Sequence, residues 1–439
     1  MSDYFDLIVE DGILVDEQGQ HATSIGIKDG CFAKLGDLGG AEAAERFSAR
    51  GLHILPGVID TQVHFREPGL THKEDLETGT LGAIAGGVTA ICEMPNTNPP
   101  TSDPAALAYK VERAEATAAC DFAFFAGATH ANAKDLGSLE LVRGCAGVKM
   151  FMGSSTGNLL VADDDGVRSV LAHGKRRVAV HCEDEDRLIE REPLRHGPEG
   201  VHLHAVWRDV ETALKATTRL LRIAREQDRQ VHVLHITTAE EMDLLRQYRD
   251  IATVECTPQH LTLSAPDCYD RLGTFAQMNP PIRDAHHRDA LWRAIADGTV
   301  HVIGSDHAPH TREEKAQAYP ASPSGMTGVQ TLLPVMLDHV AKGKLSLERL
   351  VTLTSANAAR IYNMKDRGFV QTGLRANLSL VDLGARRTIS NDWIQSRAGW
   401  TPFDGVEVQG WPRATLVGGN FVMRDDELDA STKGRPIAY

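Results

Sequence analysis

The sequence predicts an α/β protein: a (β/α)8 TIM barrel with a small β-sandwich domain formed by the two ends of the chain. Three observations carry that expectation. Short apolar runs alternate with helical segments through the middle of the chain, the order that repeated βα units and a parallel sheet require. The runs number eight over about 250 residues, the size of one such barrel. Strand-like text with turn signals stands at both ends, before residue 56 and after residue 363.

Taken in order, the first 55 residues read as short β-hairpins at 6–10, 12–15 and 24–28, with DG and GQ turn signals between them. The apolar runs follow at 58–64, 88–94, 122–128, 147–151, 177–181, 230–236, 251–256 and 299–306. Helical segments between them include 73–85, 104–119, 207–226, 239–249 and 286–296. A doubly wound open sheet is the competing arrangement. The barrel is favoured because the polar residues fall at one end of the runs. Beyond residue 363, stretches at 368–370, 376–382, 405–409, 415–417 and 420–424 again read as strands and are expected to pair with the N-terminal hairpins. The expected division is a barrel at 56–365 flanked by 1–55 and 366–439, which together make the β domain.

Composition narrows the function classes. The chain has 439 residues, with 46 basic against 60 acidic, a net charge of −14. That leaves no basic surplus for phosphate neutralisation, so no nucleic-acid partner is expected. A small anionic ligand is still allowed, because local charge in a pocket can oppose the global sign. Seven cysteines, an odd number with no CxxC spacing, fit reduced thiols. No basic leader with an apolar core and no bilayer-length apolar run is seen, so a cytoplasmic protein without a membrane partner is expected.

In a barrel of parallel strands the functional face lies at the C-terminal ends of the strands. The first run ends in Asp60-Thr61-Gln62-Val63-His64, the fourth carries Lys149, the fifth ends at His181, the sixth reaches His235, and the eighth closes with Asp306. A lone histidine is most often a hydrogen-bonded structural residue. Several imidazoles and a carboxylate delivered to one rim by separate strands instead suit Zn2+ or a similar borderline ion. For Lys149 the structural alternative is a barrel-interior salt bridge to Asp306.

Four segments carry a resemblance: 56–60, then His64-Phe65-Arg66-Glu67-Pro68-Gly69, then Met94-Pro95-Asn96-Thr97, and Gly304-Ser305-Asp306-His307-Ala308-Pro309-His310. Ordered and spaced as they are, they resemble the dihydroorotases of the amidohydrolase superfamily over about residues 55–363, with a looser echo at 376–382. The resemblance implies that His64, Lys149, His181, His235 and Asp306 bind one or two Zn2+ ions per subunit. In it, Lys149 is carboxylated and bridges the metals, and Asp306 also shuttles the proton. Arg66, Asn96 and His310 would hold the substrate carboxylate, with Asn279 as a ring contact. His232, three residues before His235, reads as a strand-interior residue.

The reaction so implied is reversible hydrolysis of the cyclic amide of dihydroorotate to N-carbamoyl-aspartate in pyrimidine biosynthesis. A metal-held hydroxide attacks the ring carbonyl, and Asp306 relays the proton to the departing nitrogen. A homodimer and a complex with aspartate carbamoyltransferase are the partners the resemblance suggests. Two rivals share the pattern. Allantoinases and hydantoinases act on uncharged rings and have no need of Arg66. A non-catalytic subunit that scaffolds aspartate carbamoyltransferase would have lost ligands. One departure stands out: the family reads His-x-His where this chain has Gln62-Val63-His64. A weaker metal position is expected there, with Asp60 either assisting or serving as a strand-end carboxylate. Residues 310–323, rich in Pro, Ser and charge, read as a mobile lid.

Overall fold

A computed structural model describes residues 4–153 and 158–439. The eight apolar runs form one eight-stranded sheet whose spatial order follows the chain. Its strands are Val58–Val63, Val88–Glu93, Asp121–Gly127, Cys145–Phe151, Val178–His181, Val231–Val233, Ala252–Cys256 and Val302–Ile303. Neighbours pair in parallel throughout. The ends meet where the His64 N–H donates to the His307 carbonyl at 2.7 Å and Val63 bridges His307 in parallel, which closes the barrel. Every residue of the first four strands is buried, because helices cover one face and the barrel's own side chains fill the other.

Local chemistry sets the helices. Leu76–Ala85, Pro104–Thr117 and Val210–Glu226 each start after an aspartate whose carboxylate accepts a backbone N–H of the first turn: Asp75, Asp103 and Asp209. Pro104 occupies a first-turn position whose missing N–H costs nothing. Val210–Glu226 buries Ala213, Ala216, Leu220, Leu221 and Ala224, one stripe at helical spacing laid on the barrel.

Both ends of the chain share a seven-stranded sheet. His53–Pro56 pairs antiparallel with Leu378–Thr388, placing Leu378 opposite Pro56, and parallel with Ile13–Asp16. Asn420–Arg424 and Glu407–Val417 extend the sheet from the C-terminal side. A second, four-stranded sheet comes from the N-terminal segment alone: Cys31–Gly36, Ser24–Lys28, Tyr4–Glu10 and Glu42–Ser48. Leu7, Val9 and Ile27 from this sheet meet Ile54, Leu378 and Leu416 from the other, and this shared core makes the sandwich.

The sequence pattern misplaced several details. Cys31–Gly36 and Glu42–Ser48 are strands without a clean alternation of burial, so periodicity did not mark them. Residues 368–370 form a bend, with Gly368 at a φ of 89°. The sixth and eighth barrel strands stop after Val233 and Ile303, earlier than their apolar text suggests. Among the described residues no helix is long and apolar enough to cross a membrane.

Candidate metal centre and substrate cleft

A cleft of about 690 Å³ opens at the C-terminal mouth of the barrel, and His64, Lys149, His181, His235 and Asp306 all line it. They reach it by different routes. Lys149 lies within the fourth strand and His181 ends the fifth, whereas His64, His235 and Asp306 lie just beyond the first, sixth and eighth. His235 and Asp306 adopt left-handed backbone, with φ of 37° and 46°, as does Arg66 at 63°. Such conformations cost about 1–3 kcal/mol each and persist where surrounding structure imposes them. Here they turn side chains into the cleft that a continuing strand would send elsewhere.

The donor set falls into two pairs with the lysine as the fifth group. In the first pair, His64 Nε2 stands 3.2 Å from Asp306 Oδ1, while His64 Nδ1 lies 2.7 Å from Asn96 Oδ1. The Asn96 oxygen can only accept, so the proton belongs on Nδ1 and Nε2 presents a bare lone pair. Burial, outweighing the contact with Asp306, keeps the imidazole pKa below its usual value. A lone pair and a carboxylate oxygen thus face each other, an arrangement that a cation satisfies and a hydrogen bond does not. Gln62 joins them: its Nε2 donates to Asp306 Oδ1 at 3.0 Å, and its Oε1 is buried without a partner.

In the second pair, His181 Nδ1 lies 3.0 Å from His235 Nε2. The other nitrogen of His181 meets Glu183 Oε2 at 2.8 Å, and Arg208 donates Nε and a terminal nitrogen to the same carboxylate at 3.0 and 2.6 Å. Burial pushes the Glu183 pKa up, but Arg208 and His181 more than reverse this and hold it well below the usual carboxylate range. An ionised Glu183 keeps the proton on His181 Nε2 and turns Nδ1 toward His235, the carboxylate–histidine arrangement typical behind metal ligands.

Lys149 is 1% exposed, and its Nζ has no hydrogen-bond partner. Burial pulls its pKa down to about 7, so a large neutral fraction exists near neutrality. The alternative role for Lys149, a salt bridge to Asp306, is not formed. Among the described residues no group of three or more His, Cys, Asp or Glu side chains makes a ready metal cluster. The chemistry of the donors fits a divalent ion all the same. Two converging pairs and an unpartnered amine are the set a lysine carbamate would complete.

Arg66 occupies the cleft beside the first pair. It is 7% exposed, donates Nε to the Pro309 carbonyl at 3.1 Å and lies 3.3 Å from His310 Nε2. Among the described residues no carboxylate comes within ion-pair distance of it, and burial lowers its pKa to about 10. Period-two strand geometry is not what aims it, since the strand ends at Val63. Lys73 also faces the cleft, 3.1 Å from His310 Nδ1 and 3.1 Å from Glu314 Oε1. Burial, then Arg66 and Lys73, hold His310 neutral. Asn96 and Asn279 line the same cleft, and Asn279 Oδ1 lies 3.1 Å from His204 Nε2.

Below the mouth, Asp60 Oδ1 accepts the backbone N–H groups of Gln62 and Ser305 at 3.2 and 2.9 Å, fastening the first strand to the eighth. Burial raises its pKa to about 7. His232 is buried within the sixth strand, with Nδ1 2.8 Å from the Thr253 hydroxyl. The 310–323 segment is tied down in this structure. Lys315 is fully buried and donates to the carbonyls of Gln277 and Pro323 at 3.0 and 2.9 Å. Residues 320–325 thereby form one wall of the cleft.

Sequence reasoning missed Glu183, Arg208 and Lys73. Glu183, two residues past His181, was the one with a readable signal. Arg208 lies 25 residues further along the chain, where only the fold could connect the two.

The barrel and its site define a class of enzyme. A model of the amidohydrolase family matches residues 53–422, and the chain belongs to that family. It is similar to a dihydroorotase of Methanosarcina mazei, 35% identical over an alignment of 419 positions that covers 92% of this chain and 91% of that one. A dihydroorotase of Halobacterium salinarum is 37% identical over 86% of this chain and 88% of its own. An allantoinase of Deinococcus radiodurans is 32% identical over 98% of both. Among solved structures, L-hydantoinase from Arthrobacter aurescens superposes with a TM-score of 0.92 at 28% identity, over 97% of each chain.

Proposed function

We propose that this amidohydrolase is a dihydroorotase, which interconverts dihydroorotate and N-carbamoyl-aspartate in pyrimidine biosynthesis. Arg66 carries the reading. A buried guanidinium without a counter-ion among the described residues is costly, and a carboxylate on the substrate compensates it. The uncharged rings of allantoin and hydantoin leave that cost in place.

His64 and Asp306 would hold one divalent ion of the zinc type, and His181 and His235 another, with Lys149 as a carbamate between them. Bound there, the metal supplies Lewis acidity toward the ring carbonyl and lowers the pKa of water. Asp306, oriented by Gln62, takes the proton from the attacking water and returns it to the ring nitrogen as the C–N bond breaks. Arg66 grips the substrate carboxylate, with Asn96 and His310 beside it, and Asn279 meets the ring. Hydrolysis consumes one water and yields a second carboxylate and a proton; cyclisation reverses each transfer. The catalytic unit on this reading is the barrel at 56–365, supported by 1–55 and 366–439. It works on a free small molecule in the cytoplasm, with a homodimer or an aspartate carbamoyltransferase complex as candidate assemblies.

The test is substrate discrimination by the zinc-loaded protein. Dihydroorotate should exceed allantoin and hydantoin in kcat/KM by ~100-fold or more, the worth of one buried charge pair. A preference for either uncharged ring would replace this reading with the allantoinase or hydantoinase one.

A further inference from the structure

The turn after the first barrel strand delivers two cations to the cleft, and the proposed ring chemistry uses only one of them. Arg66 takes left-handed backbone, the Leu70 N–H donates to the Arg66 carbonyl, and the Lys73 N–H donates to the Leu70 carbonyl, both at 3.0 Å. These successive turns fold the chain back, so Arg66 and Lys73 both line the cleft. Their side chains meet one imidazole from two sides. The Arg66 terminal nitrogen lies 3.3 Å from His310 Nε2, and Lys73 Nζ lies 3.1 Å from His310 Nδ1. The Ser324 carbonyl is the third neighbour, 3.0 Å from Nε2.

These contacts select one tautomer. Burial and the flanking cations keep His310 neutral, so the ring carries a single N–H. On Nδ1 that proton would face the Lys73 ammonium, which can only donate, and the Ser324 carbonyl would face a bare lone pair. On Nε2 it is given to the Ser324 carbonyl, while Nδ1 accepts from Lys73. Both contacts are then satisfied at the loss of one long contact to Arg66. Glu314 does not compete for the ring: its Oε2 stands 3.6 Å from Nδ1 and accepts the Thr311 N–H instead. Its other oxygen holds Lys73 at 3.1 Å, and the capping box at Thr311 fixes the carboxylate in place.

We propose that Lys73 is a positioning residue for substrate recognition: it fixes His310 as the Nε2–H tautomer, so that the imidazole N–H and the Arg66 guanidinium present donors side by side to the ring carboxylate. This rests on the dihydroorotase reading, in which that carboxylate meets Arg66 and His310. Without Lys73 the proton moves to Nδ1, where Glu314 Oε2 is the nearest acceptor, and Nε2 turns a lone pair toward the incoming anion. The Arg66 contact with Nε2 then becomes a hydrogen bond that the substrate must break. Lys73 thus acts on the binding of the acid and not on the bond that opens.

Two measurements on Lys73→Met and Lys73→Arg test this. Nitrogen-15 spectra of histidine-labelled, metal-free protein report the tautomer, with His310→Asn to assign the signal. His310 should carry its proton on Nε2 in wild type and Lys73→Arg, and on Nδ1 in Lys73→Met. In the zinc-loaded proteins, Lys73→Met should raise KM for dihydroorotate ~10-fold or more, as expected for losing a charge-assisted contact, while kcat and metal content stay within about two-fold. Lys73→Arg, which keeps a cationic donor, should restore KM. An unchanged tautomer in Lys73→Met, an unmoved KM, or a fall in kcat alone would overturn the role even if the wild type hydrolyses dihydroorotate. A zinc-loaded wild type that leaves dihydroorotate intact would overturn the underlying reading and the recognition role with it, whichever tautomer the spectra show.

Discussion

Replacing Arg66 by methionine should trade activity for stability. Methionine keeps most of the side-chain volume and removes the charge. The guanidinium is 7% exposed, and its pKa near 10 corresponds to a cost of about 3 kcal/mol for keeping it charged in the folded state. The change forfeits the hydrogen bond to Pro309, worth about 1 kcal/mol. The metal-free variant should therefore gain ~1–2 kcal/mol and melt a few degrees higher. With substrate bound the sign reverses. Breaking a buried pair between Arg66 and the substrate carboxylate costs about 3 kcal/mol or more, so kcat/KM for dihydroorotate should fall ~100-fold or further while metal content stays normal. Thermal melts, metal analysis and steady-state kinetics on the same preparations read all three. Unchanged kcat/KM would remove Arg66 from substrate recognition. A fall in melting temperature would refute the argument that its charge is uncompensated in the free protein.

Four further outcomes follow from the same geometry. Glu183→Gln should destabilise the fold by about 3–5 kcal/mol, because Arg208 is left buried without its counter-ion, and should weaken metal binding ~10–100-fold. The native Glu183 pKa is depressed, so its stabilisation is present above the unfolded carboxylate pKa and is lost as pH falls below it; that acid-side loss should shrink in the variant melts. Lys149→Met should lower metal content by at least one equivalent, yet melt no lower than wild type without metal, since the amine has no hydrogen bond to lose; full metal content would sink the carbamate assignment. Asp306→Asn should abolish most turnover, and wild-type rates should rise with pH for hydrolysis and fall with pH for cyclisation. Gln62→His should tighten the weaker of two metal positions in titrations of the apo-protein; two equally tight equivalents in wild type, unchanged by the substitution, would contradict a graded site.

Much of this was legible from residue order. Eight apolar runs gave the barrel, and turn-rich ends gave the sandwich, because burial on both faces and hairpin chemistry are local signals. The cleft residues could be named since the barrel's mouth collects whatever ends its strands. What the pattern hid depends on contacts between distant segments. His235 and Asp306 reach the cleft through left-handed backbone beyond short strands, which apolar runs of 230–236 and 299–306 disguise as strand. Gln62, distinctive in sequence as a missing ligand, is in the fold a hydrogen-bond donor to Asp306. Lys315 reads as one charge in a polar loop, yet it is the buried anchor of the cleft wall.

The central claim is catalysis of one reversible ring opening, and approach to equilibrium from both sides tests it most directly. Zinc-loaded protein supplied with dihydroorotate in one vessel and N-carbamoyl-L-aspartate in another should bring both to the same mixture at a given pH. Chelation should stop both, and a higher pH should shift the shared end point toward the open form, because hydrolysis releases a proton. If neither compound changes over a metal-replete protein, the chain is a non-catalytic relative and the account of its site is wrong.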